Sequence, residues 1–583
     1  MSSTMSIESP SSQDFRDNSK APGADSAVQR QYLRWIGLFL ILAVYLVSVF
    51  RFNPLDLFGK THDDSLYFSS AKAIANHQGY ILPSVPGGPA ATKYPILYPW
   101  ILSWIWRWNP SFPSNLSAAT ALTAAFGVIF LTSTFFFLRR LKGIGDAAAL
   151  LLTLLIALHP VILFLSASVL SDIPFAALAL AAMLAGDRTM RPNAGDARTA
   201  GCALLIGFAA LLRIFGVPIA AGILAAAVAR RAWRQIAIFC AVLLPFGCVI
   251  AWPLLFARRM VTPGLDGASR AHGFVGAWTY YTSYLGFWKL SVPNAHILWA
   301  MLRNNAILIL RAPSNYFLAP LLTKQNIASM ALVLLVTAAI VAGIARLARN
   351  NDWNSAYWAI PFYVALILVW NYPITDRFCI PFLPLFAAAL WLEAKQFLTN
   401  LYTTIAKNPL VSQRAVAAIL FLGAAALICG LAWNYAFGTR TALAQIAGNR
   451  ARILPEKREA YEWLSCCTSR GDVTIAYEDA ALYLYSSRQS MRPVAFPTSG
   501  FFDEMYIREA VSNLTDVGRA LGARYWLIAD DDFGMEWEPA ISLGRAREAE
   551  LAQQLPMVFQ SRNGHVRIYR IGCDALSNSQ PCP

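Results

Sequence analysis

Charge is scarce in this sequence. Only 14% of its 583 residues are Asp, Glu, Lys or Arg, against 57% hydrophobic and 13% aromatic, and that shortage excludes a soluble protein of this length. A polytopic membrane protein is left. Acidic residues are the scarcer sign, 33 against 48 Lys and Arg, for a formal net charge of +15. In a soluble chain that excess would point to nucleic acid. Here the basic residues cluster in short loops between apolar runs, the positive-inside pattern of a membrane protein, so no nucleic-acid partner is expected. Residues 1–30 are Ser-rich and lack an apolar core. A cleavable signal peptide is therefore not expected, and the first apolar run should stay as an anchor with a cytoplasmic amino terminus.

Apolar runs able to cross a bilayer fall near 34–50, 116–138, 146–165, 172–186, 199–214, 216–229, 235–257, 325–345, 355–371, 378–392 and 415–435. About eleven transmembrane helices are expected. Loops carrying Arg139, Arg140 and Lys142; Arg188, Arg191 and Arg198; Arg230, Arg231 and Arg234; Arg346 and Arg349; and Lys395, Lys407 and Arg414 then share the inner side. The chain divides into a cytoplasmic tail (1–33), a transmembrane domain (34–435) with outer loops 51–115 and 258–324, and an outer domain (436–583).

The outer domain has a different texture. Strand-like runs "DVTIAY", "ALYLYSS" and "ARYWLIAD" and a hairpin "MVFQSRNGHVRIYRI" turning at Asn563-Gly564 alternate with helix-like stretches 456–465, 506–521 and 541–554. Together they predict a small soluble α/β domain. Four of the nine cysteines lie here, Cys466, Cys467, Cys573 and Cys582, and an oxidising compartment would permit a disulfide from the adjacent pair to either of the other two. The sequons at Asn115 and Asn513 are weak signals.

The first outer loop concentrates ionisable groups. In "DDSLYFSSAKAIANHQGY" the positions Leu66, Tyr67, Ala71, Ile74 and Ala75 recur at helical spacing, which predicts a short amphipathic helix along the membrane, opened by Asp63 and Asp64. Carboxylates at a helix amino terminus also suit the dipole without any chemistry. "TKYPILYPW" adds Lys93, which could instead snorkel to the interface. Asp172, in "ASVLSDIPFAALAL", and Arg377, in "NYPITDRFCIPFLPLF", stand at outer ends of apolar runs; the first could merely cap a helix before Pro174, and the second could pair with Asp376. Ionisable groups at membrane depth nevertheless read first as functional, and these five converge on one face.

In this order the features resemble the GT-C class of membrane glycosyltransferases, particularly the branch with protein O-mannosyltransferases and lipid A aminoarabinose transferases. "HDDSLYFSSAKAIA" matches that class's first-loop acidic motif, in which a carboxylate pair precedes a Tyr, here Tyr67. "TKYPILYPW" is similar to its Lys-Pro-Pro-Leu-Tyr stretch, ending at Tyr98; "SDIPFA" to its second-loop acidic motif; and "DRFCIPFLP" to its Arg-Tyr-x-x-Pro-x-x-Pro signature. The likeness runs motif by motif over roughly residues 30–395. It departs at Thr92, where the lipid A enzymes have Glu before the Lys, which puts in doubt any metal site that uses this carboxylate. His62 and His77 could assist a divalent metal, but histidines in a polar loop are ordinarily only solvated, and no cofactor is expected.

The resemblance implies transfer of a sugar from a polyprenyl-phosphate carrier, with inversion, to a lipid, glycan or protein acceptor on the outer face of the cell (inner) membrane. Asp63 would be the base, and Asp64 would hold the neighbouring network, the two close carboxylates raising the pKa of one of them. Asp172 would orient sugar hydroxyls or share the acid/base role. Lys93 and Arg377 would contact the phosphate, with Arg213 of "LLRIFGVP" a further buried cation able to reach it and Tyr67 and Tyr98 in the substrate site. The aromatic segment 274–290 would form an interfacial helix over lipid or sugar. The rival reading is a transporter or lipid-carrier flippase with an outer sensor domain. Against it stand the lack of paired repeats or a Gly/Pro-broken helix pair and the carboxylates' position in an outer loop. A non-catalytic scaffold would leave the first-loop charges without a role.

Overall fold

The computed structural model describes residues 24–256, 272–318, 327–350, 355–371, 376–407, 412–534 and 536–571. Helix dominates, as it must where backbone groups inside a bilayer have no water and are satisfied within their own segment. In chain order the helices are α1 (Ala24–Val49), α2 (Asp63–Ala75), α3 (Leu97–Trp108), α4 (Leu116–Arg140), α5 (Asp146–Ala157), α6 (Pro160–Ala167), α7 (Asp172–Thr189), α8 (Asp196–Leu212), α9 (Gly216–Ala229), α10 (Trp233–Phe256), α11 (His272–Thr282), α12 (Tyr284–Ser291) and α13 (Ala295–Leu318). They continue as α14 (Ile327–Asn350), α15 (Ser355–Leu368), α16 (Leu383–Ile405), α17 (Gln413–Gly438), α18 (Ala444–Cys467), α19 (Asp479–Ser486), α20 (Glu504–Ser512), α21 (Leu514–Ala520) and α22 (Glu538–Gln554).

All eleven apolar runs are largely helical. Among the described residues, six helices are long and apolar enough to cross a membrane, in α1, α4, α10, α14, α16 and the continuous run Gln413–Cys467, and a seventh if α5 and α6, bent by 58° at Leu158–His159, form one broken span. Gly216–Ala229 and Ser355–Leu368 are apolar but shorter. The chain is an integral membrane protein, and six or seven of its expected eleven spans have full length and apolarity.

The carboxy-terminal part holds strands β1 (Thr474–Ala476), β2 (Ser490–Met491), β3 (Tyr525–Ala529), β4 (Met557–Gln560) and β5 (Val566–Arg570). They form one sheet in the order β2-β1-β3-β5-β4, parallel across β1 and antiparallel on both sides of β5. The β4–β5 hairpin turns through Asn563-Gly564, with Gly564 at the φ of 78° that such a turn asks of glycine. "ALYLYSS" is not a strand. Its Leu-Tyr alternation mimics period two, but Ala480, Ala481, Leu482 and Leu484 are all buried in α19, and Ser487 ends it in the left-handed region at φ 57°. Cys466 and Cys467 stand with their sulfurs 2.8 Å apart, while Cys573 and Cys582 lie outside the described residues, as do residues 1–23, 257–271 and 319–326.

Two further expectations change. Rather than lying on the membrane, α2 is embedded, with nine residues from Asp64 to Ala73 buried between α3 and α19. The amphipathic pattern expected of α2 is carried by α3, which buries Tyr98, Leu102 and Trp106 and exposes Trp100, Trp104 and Trp108 along the opposite stripe. The aromatic segment 274–290 is two helices, because the Ser283 hydroxyl accepts the Gly286 N–H at 3.0 Å and starts α12 afresh.

Candidate active site

Four chain breaks meet where the 51–115 loop enters the helical body. One is the first turn of α2, which carries Asp63; another is the first turn of α7, which carries Asp172 just before Pro174. The third is the break after α8, where Arg213 turns extended at φ −149°, ψ 138°. The last is the 3-10 segment Asp376–Phe382, which carries Arg377 and holds Pro381, and which hands over to α16 at Pro384 in that helix's first turn.

The charges alternate through this junction. Arg213 Nη1 lies 2.6 Å from Asp172 Oδ2, Asp172 Oδ1 lies 4.0 Å from Arg377 Nε, and Arg377 Nη2 lies 3.5 Å from Asp63 Oδ2. Asp63 Oδ1 also accepts the Tyr94 hydroxyl at 2.5 Å. Arg377 Nε is buried and has no hydrogen-bond partner among the described residues, so this cation is held by charge with donor capacity unused. The Tyr67 ring sits 4.8 Å from that of Tyr94 and 5.3 Å from that of Tyr98, and its hydroxyl shares a hydrogen bond with Ser171 at 3.0 Å.

Burial alone would push the Asp63 carboxyl up, but Arg377, Lys93 and the Tyr94 hydroxyl outweigh it and hold its pKa below the usual carboxylate value. The adjacent Asp64 behaves oppositely. It is fully buried, and burial, with a lesser contribution from Asp63, pushes it up to about 7 against two backbone N–H bonds, from Gly59 at 3.0 Å and Ser65 at 2.6 Å. Burial lowers Lys93 to about 7, opposed first by Asp63. The Lys93 Nζ stands 3.4 Å above the ring of Tyr280, a cation–π contact.

An open cavity of about 440 Å³ runs from this junction toward the lipid. Its polar end is formed by Lys93, Arg213, Tyr67, Tyr80 and Tyr94, and its apolar wall by Phe215, Val249, Ile250, Leu285 and Leu366. Trp252, which also lines it, is 58% exposed on α10, so the wall reaches the lipid-facing surface. The volume is ordinary for a small-ligand site, and the arrangement suits an amphiphile with an anionic head and a hydrocarbon tail.

The structure brings Asp63, Tyr67, Lys93, Asp172, Arg213 and Arg377 to this one place. It does not bring Asp64 or Tyr98. Asp64 points into the Gly59–Ser65 backbone, and the Tyr98 hydroxyl, fully buried, pairs with Thr123 at 2.9 Å behind Tyr67. Thr92 donates to the Thr282 carbonyl at 2.5 Å and so ties the loop to α11. Among the described residues no three His, Cys, Asp or Glu are grouped to hold a metal ion. Sequence reasoning missed Tyr80 and Tyr94 in the lining, although Tyr94 is next to Lys93 in a quoted motif. It also missed Tyr280, buried in an aromatic run with nothing to single it out.

Neither a protein-family model nor a curated protein sequence matches the chain. Solved structures do. The fold is that of the GT-C glycosyltransferases, whose members among the matching structures include a lipid A aminoarabinose transferase and an oligosaccharyltransferase. ArnT from Cupriavidus metallidurans, bound to undecaprenyl phosphate, superposes with a TM-score of 0.50 at 13% identity, over 94% of this chain and 99% of that one. The oligosaccharyltransferase AglB from Archaeoglobus fulgidus, in complex with an inhibitory peptide and a dolichol-phosphate, superposes with a TM-score of 0.51 at 13% identity, over 92% of this chain and 74% of that one.

Proposed function

We propose that this chain is a membrane glycosyltransferase that moves a sugar from a polyprenyl-phosphate carrier to an acceptor on the outer face of the cell membrane. The observation that carries the reading is the cavity, cationic at one end and lipid-facing along its wall, with Asp63 bonded to Tyr94 at its polar end. A polyprenyl phosphate has the same two-part character, and the two neighbouring structures hold lipid phosphates.

In this reading the acceptor attacks the anomeric carbon opposite the phosphate, the carbon–oxygen bond to phosphate breaks, and the configuration inverts. Asp63, ionised at neutral pH, takes the acceptor's proton as the new bond forms. Lys93, Arg213 and Arg377 stabilise the charge that collects on the departing phosphate. Asp172 sets the two arginines in place and is near enough to meet sugar hydroxyls. The apolar wall holds the first isoprene units. Asp64 supports the loop through its backbone bonds and does not touch the reactants. The carboxy-terminal domain faces the outer compartment.

The test is transfer of radiolabelled sugar from a polyprenyl-phosphate donor by purified protein in lipid, run beside uptake of the same lipid into vesicles. Label transferred to an acceptor supports the reading. Lipid movement across the bilayer without transfer would replace it with a flippase.

A further inference from the structure

Among the contacts that the carboxy-terminal domain makes beside the site, one buried side chain joins two other parts of the chain. Asp479, in the first turn of α19, is completely buried, and each of its oxygens meets a residue from another part of the chain. Oδ1 stands 2.7 Å from His62 Nε2, immediately before Asp63, and Oδ2 accepts the Tyr281 hydroxyl of α11 at 2.9 Å. His62 Nδ1 is 3.2 Å from the hydroxyl of Tyr280, the residue whose ring carries the Lys93 ammonium.

The protons in this chain follow from its geometry. Burial lowers His62 to about 4, so its ring is neutral and has one donor and one acceptor. A carboxylate only accepts, which assigns the hydrogen to Nε2 and leaves Nδ1 to accept from Tyr280. The order is Asp479, His62, Tyr280, Lys93. His62 also holds a φ of 59°, a backbone conformation that a residue other than glycine keeps only where its surroundings enforce it. Its ring stacks on Tyr280 at 5.9 Å and meets Tyr281 edge-on at 6.0 Å.

We propose that Asp479 is a positioning residue for the phosphate-binding end of the cavity, setting Lys93 through His62 and Tyr280. This rests on the glycosyltransferase reading and assigns the outer domain a part in donor binding. It touches no reactant itself. Asn at 479 retains one acceptor but turns an amide donor toward a second donor, so one of the two bonds is lost. Gln at 62 can still donate toward Asp479 while removing the acceptor for Tyr280.

The experiment measures undecaprenyl phosphate affinity in detergent-solubilised protein for wild type, Asp479→Asn, His62→Gln and the double variant. Each single change is expected to weaken binding about fivefold to tenfold, the scale of one lost hydrogen bond, and the double variant no more than the weaker-binding single one, because both act on one chain of contacts. Gln489→Ala loosens the same domain contact elsewhere, where Gln489 reaches the Pro83 and Val85 carbonyls at 3.4 Å, and is expected to bind as wild type. Additive losses, or an equal loss in Gln489→Ala, would reduce Asp479 to a docking contact and overturn the proposal. Wild-type affinity in His62→Gln overturns it even if Asp479→Asn fails to accumulate. Absence of binding by the wild-type chain would overturn the glycosyltransferase reading as well, whereas equal binding by wild type and Asp479→Asn sinks this proposal alone.

Discussion

Arg213 Nη1 and Asp172 Oδ2 stand 2.6 Å apart, joining the end of α8 to the start of α7. The Asp172 side chain is 2% exposed, so its charge is stable there only while cations compensate it. That pair is the part of the site in which structure and chemistry are hardest to separate, because Arg213 also lines the cavity.

Arg213→Ala should therefore destabilise the protein by about 3–5 kcal/mol, the cost of leaving a buried charge without its partner. Arg377→Ala should cost less, since its contacts are longer, 3.5 and 4.0 Å, and its side chain is 28% exposed. Adding Asp172→Ala to Arg213→Ala should recover part of the loss. The midpoint of heat-induced unfolding in detergent reads all of these; equal midpoints for Arg213→Ala and Arg377→Ala would contradict the assignment.

Donor affinity should depend on pH through Lys93. Burial lowers this ammonium to about 7, so it is charged below that pH and neutral above it. With a polyprenyl phosphodiester probe, whose own charge is fixed, binding should weaken as pH rises from 7 to 9, by up to about tenfold per unit. Lys93→Met should bind more weakly at pH 6 and show a flat profile. A flat wild-type profile would remove Lys93 from the phosphate site.

Orientation can be read separately. A phosphatase fused at Asn578 should be active and a cytoplasmic reporter at the same place inactive, since the site and the domain that contacts it are assigned to the outer face. The opposite pattern would place both inside and exclude an outer-face acceptor.

Much of the site was legible because an ionisable group inside an apolar pattern stands out: Asp63, Lys93, Asp172, Arg213 and Arg377 all read this way, and all meet. Asp64 reads the same as Asp63 in sequence, yet consecutive residues in a helix point about 100° apart. One faces Tyr94 and Arg377, and the other faces the backbone of Gly59. The helical runs were legible from apolarity, whereas α19 was not, since a short and mostly buried helix shows too little periodicity to separate it from a strand. Asp479 carried no signal at all. Its partners, His62 and Tyr281, are brought to it by the docking of the carboxy-terminal domain on the 51–115 loop and on α11.

The central claim is that Asp63 is the base of a sugar transfer, and turnover of Asp63→Asn at matched protein level tests it most directly. Asn keeps the size of the side chain and an acceptor for Tyr94 but has no basic lone pair to take a proton. Transfer from the polyprenyl-phosphate donor should fall by about 10² or more, with donor binding retained. Near-normal transfer by Asp63→Asn, with Asp172→Asn inactive, would move the base to the second loop; full activity in both would contradict the account.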